Sequence, residues 1–485
     1  MQRLSGLDAG FLSMETPTSP MHVAGLAVYD PSEVEGGWSV DQVKQVYSQR
    51  LHLAAPFRRR LVSVPFGLHH PLWIEDPDFD LDWHIRHLAV PAPGGPRELA
   101  ELAGHLVALP LDRDRPLWEM WVIEGLEHGH VAVLSKVHHA AIDGASGNEI
   151  TVATLDLEPD PPPTPPPDEP WEPERVPSDA ELLSYAATSL ARQPFRVARA
   201  SARTLRATVD RQRLPGHPGT TPPPSMFSAP RTSINTAITG HRTYAMATLS
   251  LSEVKAVKNT FGVTVNDVVL ALCGGALRRY FDGRGEVLDG PLVAMVPVSV
   301  RTKDQEGTLG NRVSSMLATL ATDRDDPVER LHAIHEAMAT GKERHAVGAD
   351  ALQDWAEFAA PALLGRAARL YSGMRVAGMH RPAFNVTISN VPGPPFPLYS
   401  AGARLVANYP VGPIFDGAGL NMTVMSYQDS MDFGLLACPD VLADVWSLAD
   451  GLADALAELT KAAETANEAA RGPKGSGGAS GARRR

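Results

Sequence analysis

Hydrophobic and polar positions along the first 155 residues follow the two periods that are typical of strands and helices. Short apolar runs predict strands over residues 83–90, 121–124 and 131–137, and the last of these is the clearest. Amphipathic patterns predict helices over residues 40–53 and 97–109. We therefore expect a mixed α/β domain in this part of the chain.

The α/β pattern resumes at residue 235. It predicts a long helix over residues 266–279, an apolar strand over 292–300, and further strands over 385–389 and 419–427. A closing helix is predicted over residues 440–470, with leucines along one face. This pattern indicates a second α/β domain.

The segment between the two domains has a different composition. Prolines cluster over residues 161–170 and again over 222–224, which predicts stiff, extended connections. A helix is expected from near Asp179, and a second from about Pro194 to before Pro215. The second helix has an arginine stripe beside a thin apolar stripe. Such a helix would either lie on an anionic bilayer or pack between the domains with its arginines in solvent.

These patterns divide the chain into four parts. We expect an N-terminal domain over residues 1–157, a proline-rich and basic helical linker over 158–234, and a C-terminal domain over 235–471. Residues 472–485 are rich in glycine and serine and end in three arginines, so we expect a disordered tail. A length of 485 residues agrees with more than one core.

Charge and cysteine content narrow the class of protein. The net charge of −12 argues against a general nucleic-acid binder. The two cysteines, Cys273 and Cys438, have no zinc-ligand spacing, and a reduced cytosolic setting fits them better than a disulfide. The first 20 residues do not resemble a secretory signal, and no apolar run is long enough to span a membrane. We expect a cytoplasmic protein that reaches lipid only from the surface of a membrane or lipid droplet.

The strand over residues 131–137 leads into two adjacent histidines, His138 and His139, followed by Asp143 and Gly144. A histidine at a strand end has a pKa suited to accepting a proton near neutral pH. Because adjacent residues on a strand point to opposite sides, we expect the two rings to have different roles. One alternative to a catalytic role is that these histidines are purely structural. Another is that they begin a metal site, although no third ligand has convincing spacing.

Residues 138–144 resemble the HHxxxDG motif of coenzyme A-dependent acyltransferases, a group that includes chloramphenicol acetyltransferase and peptide-synthetase condensation domains. Pro116, Leu117 and Trp118 resemble the PLW motif of the bacterial wax ester synthase/diacylglycerol acyltransferase family. Further segments resemble the same family in the expected order: residues 4–25, Asn266-Asp267, 297–301, Gly310-Asn311 and 389–394.

The resemblance implies two domains of the chloramphenicol-acetyltransferase type, with one active site at their interface. It implies that His139 is the general base and that no covalent nucleophile is needed. His138 would orient the loop, and Asp143 would fix it by pairing with Arg301. The resemblance also implies a substrate tunnel through the interface, which Gly144 would keep open; a plain helix-start glycine is the alternative.

The remaining site residues also follow from the resemblance. Asn266 is the candidate oxyanion donor, with a helix cap as the alternative. Residues 116–118 would line the acyl pocket, although core packing explains them equally well. Ser389 and Asn390 could contact the donor's pantetheine arm.

The expected reaction is transfer of a long-chain fatty acyl group from acyl-CoA to diacylglycerol, to a long-chain alcohol, or to both. Acyl-CoA is a co-substrate here, and no separate cofactor, metal or nucleic acid is expected. Two alternatives stay open: a related acyltransferase or condensation enzyme with a carrier-bound acyl donor, and a non-catalytic lipid-surface protein.

Overall fold

The computed structural model describes residues 2–141, 154–167, 171–191, 224–225, 227–299, 313–345 and 361–471. Within this part of the chain the strands β1 to β15 are, in order, Gln2–Arg3, His22–Asp30, Arg59–Val62, Leu72–Glu75, Ile85–Ala89, Trp118–Glu124, Val131–His138, Thr243–Ser250, Val293–Ser299, Val313–Thr319, Val386–Val391, Tyr399–Ser400, Ala403–Val411, Leu420–Tyr427 and Ser430–Ala437.

The helices of the same part are α1 to α10. They are, in order, Gly6–Met14, Val40–Arg50, Leu81–His84, Pro96–Ala108, Asp179–Ala191, Leu251–Phe261, Val265–Gly283, Pro327–His345, Pro361–Gly373 and Trp446–Arg471. Short 3-10 turns cover Leu51–Leu53, Ala55–Phe57, Pro65–Gly67, Glu127–Gly129 and Val376–Met379.

Two six-stranded sheets organise the fold. The N-terminal sheet has the order β12-β13-β2-β7-β6-β5, and the C-terminal sheet has the order β10-β9-β11-β14-β15-β8. Strands β12 and β13 come from late in the chain, yet β13 pairs antiparallel with β2 and so extends the N-terminal sheet. The predicted fold class, α/β with two sheet-rich domains, is confirmed.

Helix α4 occupies the space between the two sheets. It carries Leu99, Ala103 and Leu106 into a cluster that also contains Leu134 of the N-terminal sheet and Met246 of the C-terminal sheet. Burial of apolar surface is the main driving force for such packing. The two sheets therefore share a core around α4. A larger cluster, built from α6, α7, α8 and α10, covers the C-terminal sheet.

Strand β7 is buried on both faces, and this explains its almost continuous apolar sequence. Ala132 and Leu134 point into the core around α4, whereas Val131, Val133 and Val137 point into a second cluster beneath α2. This packing holds the strand that leads into the two histidines rigidly in place.

The sequence predicted the element types well, with one correction at residues 83–90. There the chain first forms the helical turn α3, because the Asp80 carboxylate accepts a hydrogen bond from the Asp82 amide at 3.0 Å and caps it. Strand β5 begins only at Ile85. The predicted arginine helix from Pro194 and the expected disordered tail lie outside the described residues.

No single helix in the described ranges is long and apolar enough to cross a membrane. Helices α6 and α7 reach the required length and composition only when taken together, across a bend of 105°.

Candidate active site

Backbone hydrogen bonds fix the end of strand β7 on both sides. The His138 amide donates to the Leu117 carbonyl at 2.9 Å, and the His139 amide donates to the Met21 carbonyl at 2.9 Å. The Ala141 amide then donates to the His138 carbonyl at 2.8 Å and begins the turn that leads out of the strand. Both histidines therefore have well-defined backbone positions.

The His138 ring is buried and is oriented by two neighbours. Its Nδ1 accepts a hydrogen bond from the Ala140 amide at 3.0 Å, so the ring proton of the neutral form lies on Nε2. This Nε2 faces Oε2 of Glu15 at 3.5 Å, a distance too long for a strong hydrogen bond. The ring is thus held between the turn and a carboxylate, which agrees with an orienting residue.

Glu15, at the end of helix α1, is itself held by an arginine. The Arg113 guanidinium donates from Nε to Glu15 Oε2 at 3.0 Å, donates to the same oxygen from Nη2, and reaches the Leu12 carbonyl at 2.9 Å. Burial alone would raise the pKa of the Glu15 carboxyl. The polar contact with His138 and the charge and hydrogen bonds of Arg113 outweigh that effect and lower the pKa. Glu15 is therefore an anion at neutral pH.

The His139 ring has a different environment. It stacks on the Phe11 ring of α1, with 4.3 Å between the ring centroids and an interplanar angle of 13°. Its Nδ1 is buried and has no hydrogen-bond partner among the described residues. Burial, with a smaller contribution from His138, lowers the pKa of His139 to about 4. At neutral pH the ring is uncharged and able to accept a proton.

Helix α1 brings this site to the boundary between the two halves of the chain. The segment after α1 is bonded to the C-terminal half: the Thr18 and Ser372 hydroxyls lie 2.8 Å apart, and the Ser19 hydroxyl donates to the Ile414 carbonyl at 2.6 Å. Since Phe11 covers His139 from the same helix, the histidine site lies next to the domain interface.

The PLW residues divide between two environments. Leu117 packs with Leu4, Leu12 and Ala140, close to the histidine turn. The Trp118 ring lies on the other face of strand β6, donates from Nε1 to the Phe57 carbonyl at 2.9 Å, and stacks on His84 at 4.3 Å. Trp118 is thus a core residue. It also lines a cavity of about 170 Å³ on that side of the sheet.

The buried Pro116 completes this segment through its backbone. Its carbonyl accepts a hydrogen bond from the Trp118 amide at 2.8 Å, which tightens the turn into strand β6.

At the start of helix α7 the cap is not Asn266. The Thr264 hydroxyl accepts from the Asp267 amide at 3.2 Å, and the Asp267 carboxylate accepts from the Thr264 amide at 2.9 Å, which is a capping box. The same carboxylate contacts His335 Nδ1 at 2.7 Å. Asn266, in the first turn, is half-buried and takes no part in this cap.

Ser389 and Asn390 lie near the end of strand β11 and are half-buried. They pair in parallel with β14, opposite Thr423 and Val424. The turn that follows requires glycine, because a Cβ on Gly393 would lie 2.0 Å from the Ser426 carbonyl oxygen. Asp143, Gly144 and Arg301, which the sequence assigns to the site, lie outside the described residues, so their roles stay predictions.

Sequence reasoning did not single out Phe11, Glu15 or Arg113. Two of them, Phe11 and Glu15, belong to the opening segment over residues 4–25 that carried part of the resemblance. An acidic and an aromatic residue in a motif far from the histidines were the available signal. Within the described ranges, no group of three or more His, Cys, Asp or Glu side chains could hold a metal ion.

Two sheet-rich domains that meet beside an HH turn define the fold class of chloramphenicol-acetyltransferase-like proteins. The first condensation domain of the calcium-dependent antibiotic synthetase has this fold, with a TM-score of 0.56 at 16% identity over 96% of each chain. The wax ester synthase/diacylglycerol acyltransferase from Marinobacter aquaeolei VT8 gives a TM-score of 0.67 at 33% identity, covering 96% of this chain and 100% of that one.

Sequence comparisons place the chain within this class. Residues 4–269 match the model of the wax ester synthase/diacylglycerol acyltransferase catalytic domain, and residues 309–460 match that of the family's C-terminal domain. A putative diacylglycerol O-acyltransferase of Mycobacterium tuberculosis is 40% identical over 96% of this chain and 91% of its own length. A second one is 40% identical over 95% and 99%. The chain belongs to the wax ester synthase/diacylglycerol acyltransferase family.

Proposed function

We propose that this protein transfers a long-chain fatty acyl group from acyl-CoA to the hydroxyl of diacylglycerol, of a long-chain alcohol, or of both. The observation that carries the proposal is the position of the His139 ring, which is half-buried at the end of strand β7 next to the domain interface, in a chain of the wax ester synthase/diacylglycerol acyltransferase family. Because burial keeps the imidazole uncharged at neutral pH, the ring can accept a proton from the acceptor hydroxyl.

The reaction proceeds in one ternary complex. His139 removes the proton from the acceptor hydroxyl while the hydroxyl oxygen attacks the thioester carbonyl carbon. The tetrahedral intermediate collapses, the carbon–sulfur bond breaks, and the imidazolium returns its proton to the coenzyme A thiolate. Atoms and charge balance without a covalent enzyme intermediate, so no nucleophilic side chain is required.

The other site residues support this step. Glu15, held by Arg113, stabilises the orientation of His138 and so the turn on which His139 lies. Asn266 is free of the helix cap, so its amide can donate to the oxyanion. Leu117 beside the turn provides apolar wall for the acyl chain, and Trp118, on the other face of strand β6, supports that strand from the core. Ser389 and Asn390 contact the pantetheine arm.

A thiol-release assay tests the proposal directly. Purified protein is mixed with palmitoyl-CoA and either diacylglycerol or hexadecanol, and the ester product is identified by mass spectrometry. We expect acceptor-dependent release of coenzyme A, with palmitoyl-CoA preferred over acetyl-CoA by at least about 10²-fold in kcat/KM. If acetyl-CoA were used equally well, the lipid substrate would be wrong. If only an acyl-carrier protein served as donor, the condensation-type alternative would be right.

A further inference from the structure

The segment over residues 361–382 has an unusual charge for this protein. It contains four arginines and no aspartate or glutamate, within a chain whose net charge is −12. It covers helix α9 and the 3-10 turn Val376–Met379. A local basic cluster on an acidic protein indicates a partner of negative charge.

The same segment exposes large apolar side chains. Leu370 and Met374 are each 63% exposed, and Met379 is 74% exposed. The opposite side of α9 is packed, since Gly365 lies against the Ser13 carbonyl and Ser372 is bonded to Thr18. On one side of this segment, therefore, none of the described elements covers these apolar side chains.

Three arginines of this face have no acidic partner among the described residues. None of the described carboxylates forms an ion pair with Arg366, Arg369 or Arg375, and all three are exposed. Arg381, by contrast, pairs with Asp289 at 2.8 Å. We define the docking surface by six exposed residues: Arg366, Arg369, Leu370, Met374, Arg375 and Met379.

The docking surface lies one helix away from the catalytic histidine. Helix α9 packs against α1, and α1 places Phe11 on the His139 ring. A molecule that is bound at this surface would thus be held close to the domain interface, where the proposed function places the reaction.

We propose that the docking surface binds the anionic phospholipid bilayer from which the acceptor is drawn. Exposed apolar side chains between arginines that have no ion pair with a described carboxylate fit the boundary between lipid headgroups and acyl chains: the apolar groups enter the bilayer while the guanidinium groups bind phosphates. The proposal rests on the proposed function only in taking the acceptor to be a membrane lipid. The charge complementarity is independent of it.

Flotation with lipid vesicles tests the docking surface. The full-length protein is mixed with vesicles of phosphatidylcholine containing about 30% phosphatidylglycerol, and with vesicles of phosphatidylcholine alone. We expect wild-type protein to bind the anionic vesicles more tightly. The triple variant R366Q/R369Q/R375Q should lose on the order of 10²-fold in partitioning. The variant L370S/M374S/M379S should lose at least about tenfold on both kinds of vesicle.

Matched control variants carry the same kinds of substitution at other exposed positions of the protein. L53S/F66S/L157S replaces three exposed apolar side chains of the N-terminal half, and R97Q/R284Q/R404Q replaces three exposed arginines. Both controls should bind vesicles as the wild type does. If they lose binding equally, or if the docking-surface variants bind normally, the assignment of this surface is overturned. It is also overturned if wild-type protein binds neither kind of vesicle.

Transfer to a water-soluble short-chain alcohol, without vesicles, separates this proposal from the proposed function. The docking-surface variants should keep wild-type rates in that assay while losing activity on diacylglycerol presented in vesicles. Vesicle binding by a wild-type protein that transfers no acyl group would overturn the proposed function and leave the docking surface standing. Equal loss in both assays would overturn the docking role.

Discussion

The turn after strand β7 and the first turn of helix α7 differ in how the fold uses their polar groups. At α7 one oxygen of the Asp267 carboxylate, Oδ2, accepts from the Thr264 amide, which closes the capping box, and also contacts His335 Nδ1. After β7 the His139 ring is packed but keeps a nitrogen without a partner among the described residues. The His138 ring also lacks a hydrogen-bond partner at Nε2, but its Nδ1 accepts from the Ala140 amide and its Nε2 faces Glu15, whereas the described contact of the His139 ring is its stacking on Phe11.

The comparison assigns adjacent residues to different tasks. His138 and Asp267 are positioned by several contacts and stabilise the local structure. For His139 and Asn266, each next to one of them, the described residues provide no side-chain hydrogen-bond partner. Both motifs thus combine a residue that forms hydrogen bonds within the described part of the fold with one whose side chain forms none there.

The largest expected effect on activity follows from removing the His139 imidazole. His139→Gln keeps a polar side chain of similar size but provides no base, so kcat should fall by about 10² to 10⁴ while the melting temperature stays close to that of the wild type. Coenzyme A release and thermal unfolding are measured on the same preparation. The matched control His105→Gln alters an exposed histidine on α4 and should keep full activity. A folded His139→Gln protein with normal turnover would remove His139 from the mechanism.

Separate substitutions of the adjacent residues Asn266 and Asp267 in α7 should distinguish an effect on catalysis from an effect on stability. Asn266→Ala should lower kcat by about 10² to 10³ with little change in unfolding, which is the usual cost of losing one oxyanion donor. Asp267→Ala should instead destabilise the protein by about 1 to 3 kcal/mol, since it removes a cap and the hydrogen bond with the half-buried His335. Urea unfolding and steady-state kinetics are compared for the two variants. A reversed result would make Asp267 the catalytic member of the pair.

Glu15→Gln tests whether the carboxylate positions the histidine turn. The amide can still accept a hydrogen bond but loses the charge that pairs with Arg113 and faces His138, so we expect kcat to fall about tenfold. KM for acyl-CoA should not change, because Glu15 does not reach the donor in this mechanism. A higher KM with normal kcat would indicate a binding role, and Glu15→Asp should recover part of the loss.

The sequence predicted the order of elements and the two polar pairs because these depend on local patterns. The apolar run of β7 predicts a buried strand, and HHxxxDG is contiguous. The contacts of Glu15 with Arg113 and His138 join positions 98 and 123 residues apart, a separation that periodicity cannot predict. Periodicity also cannot predict that β13, over residues 403–411, pairs with β2, over residues 22–30, in the N-terminal sheet. The role of Thr264 as the cap was readable from its spacing to Asp267.

The smallest expected effect concerns acid stability, and its sign follows from the pKa of His139. An unfolded histidine has a pKa near 6.5, whereas burial lowers that of folded His139 to about 4. Between these values the unfolded chain binds a proton that the folded chain does not, so the free energy of unfolding falls as the pH falls from 6.5 to 4. Above pH 6.5 the effect is absent. His139→Gln should therefore reduce the acid-induced loss between pH 7 and 5.5 by about 1 kcal/mol relative to the wild type, as measured by urea unfolding at both pH values. In His105→Gln the free energy of unfolding should fall between pH 7 and 5.5 by as much as it does in the wild type. If the free energy of unfolding of His139→Gln fell as much as that of the wild type, burial would not be what keeps the ring neutral. The contrast between His139 and His138, and between Asn266 and Asp267, would then rest on geometry alone.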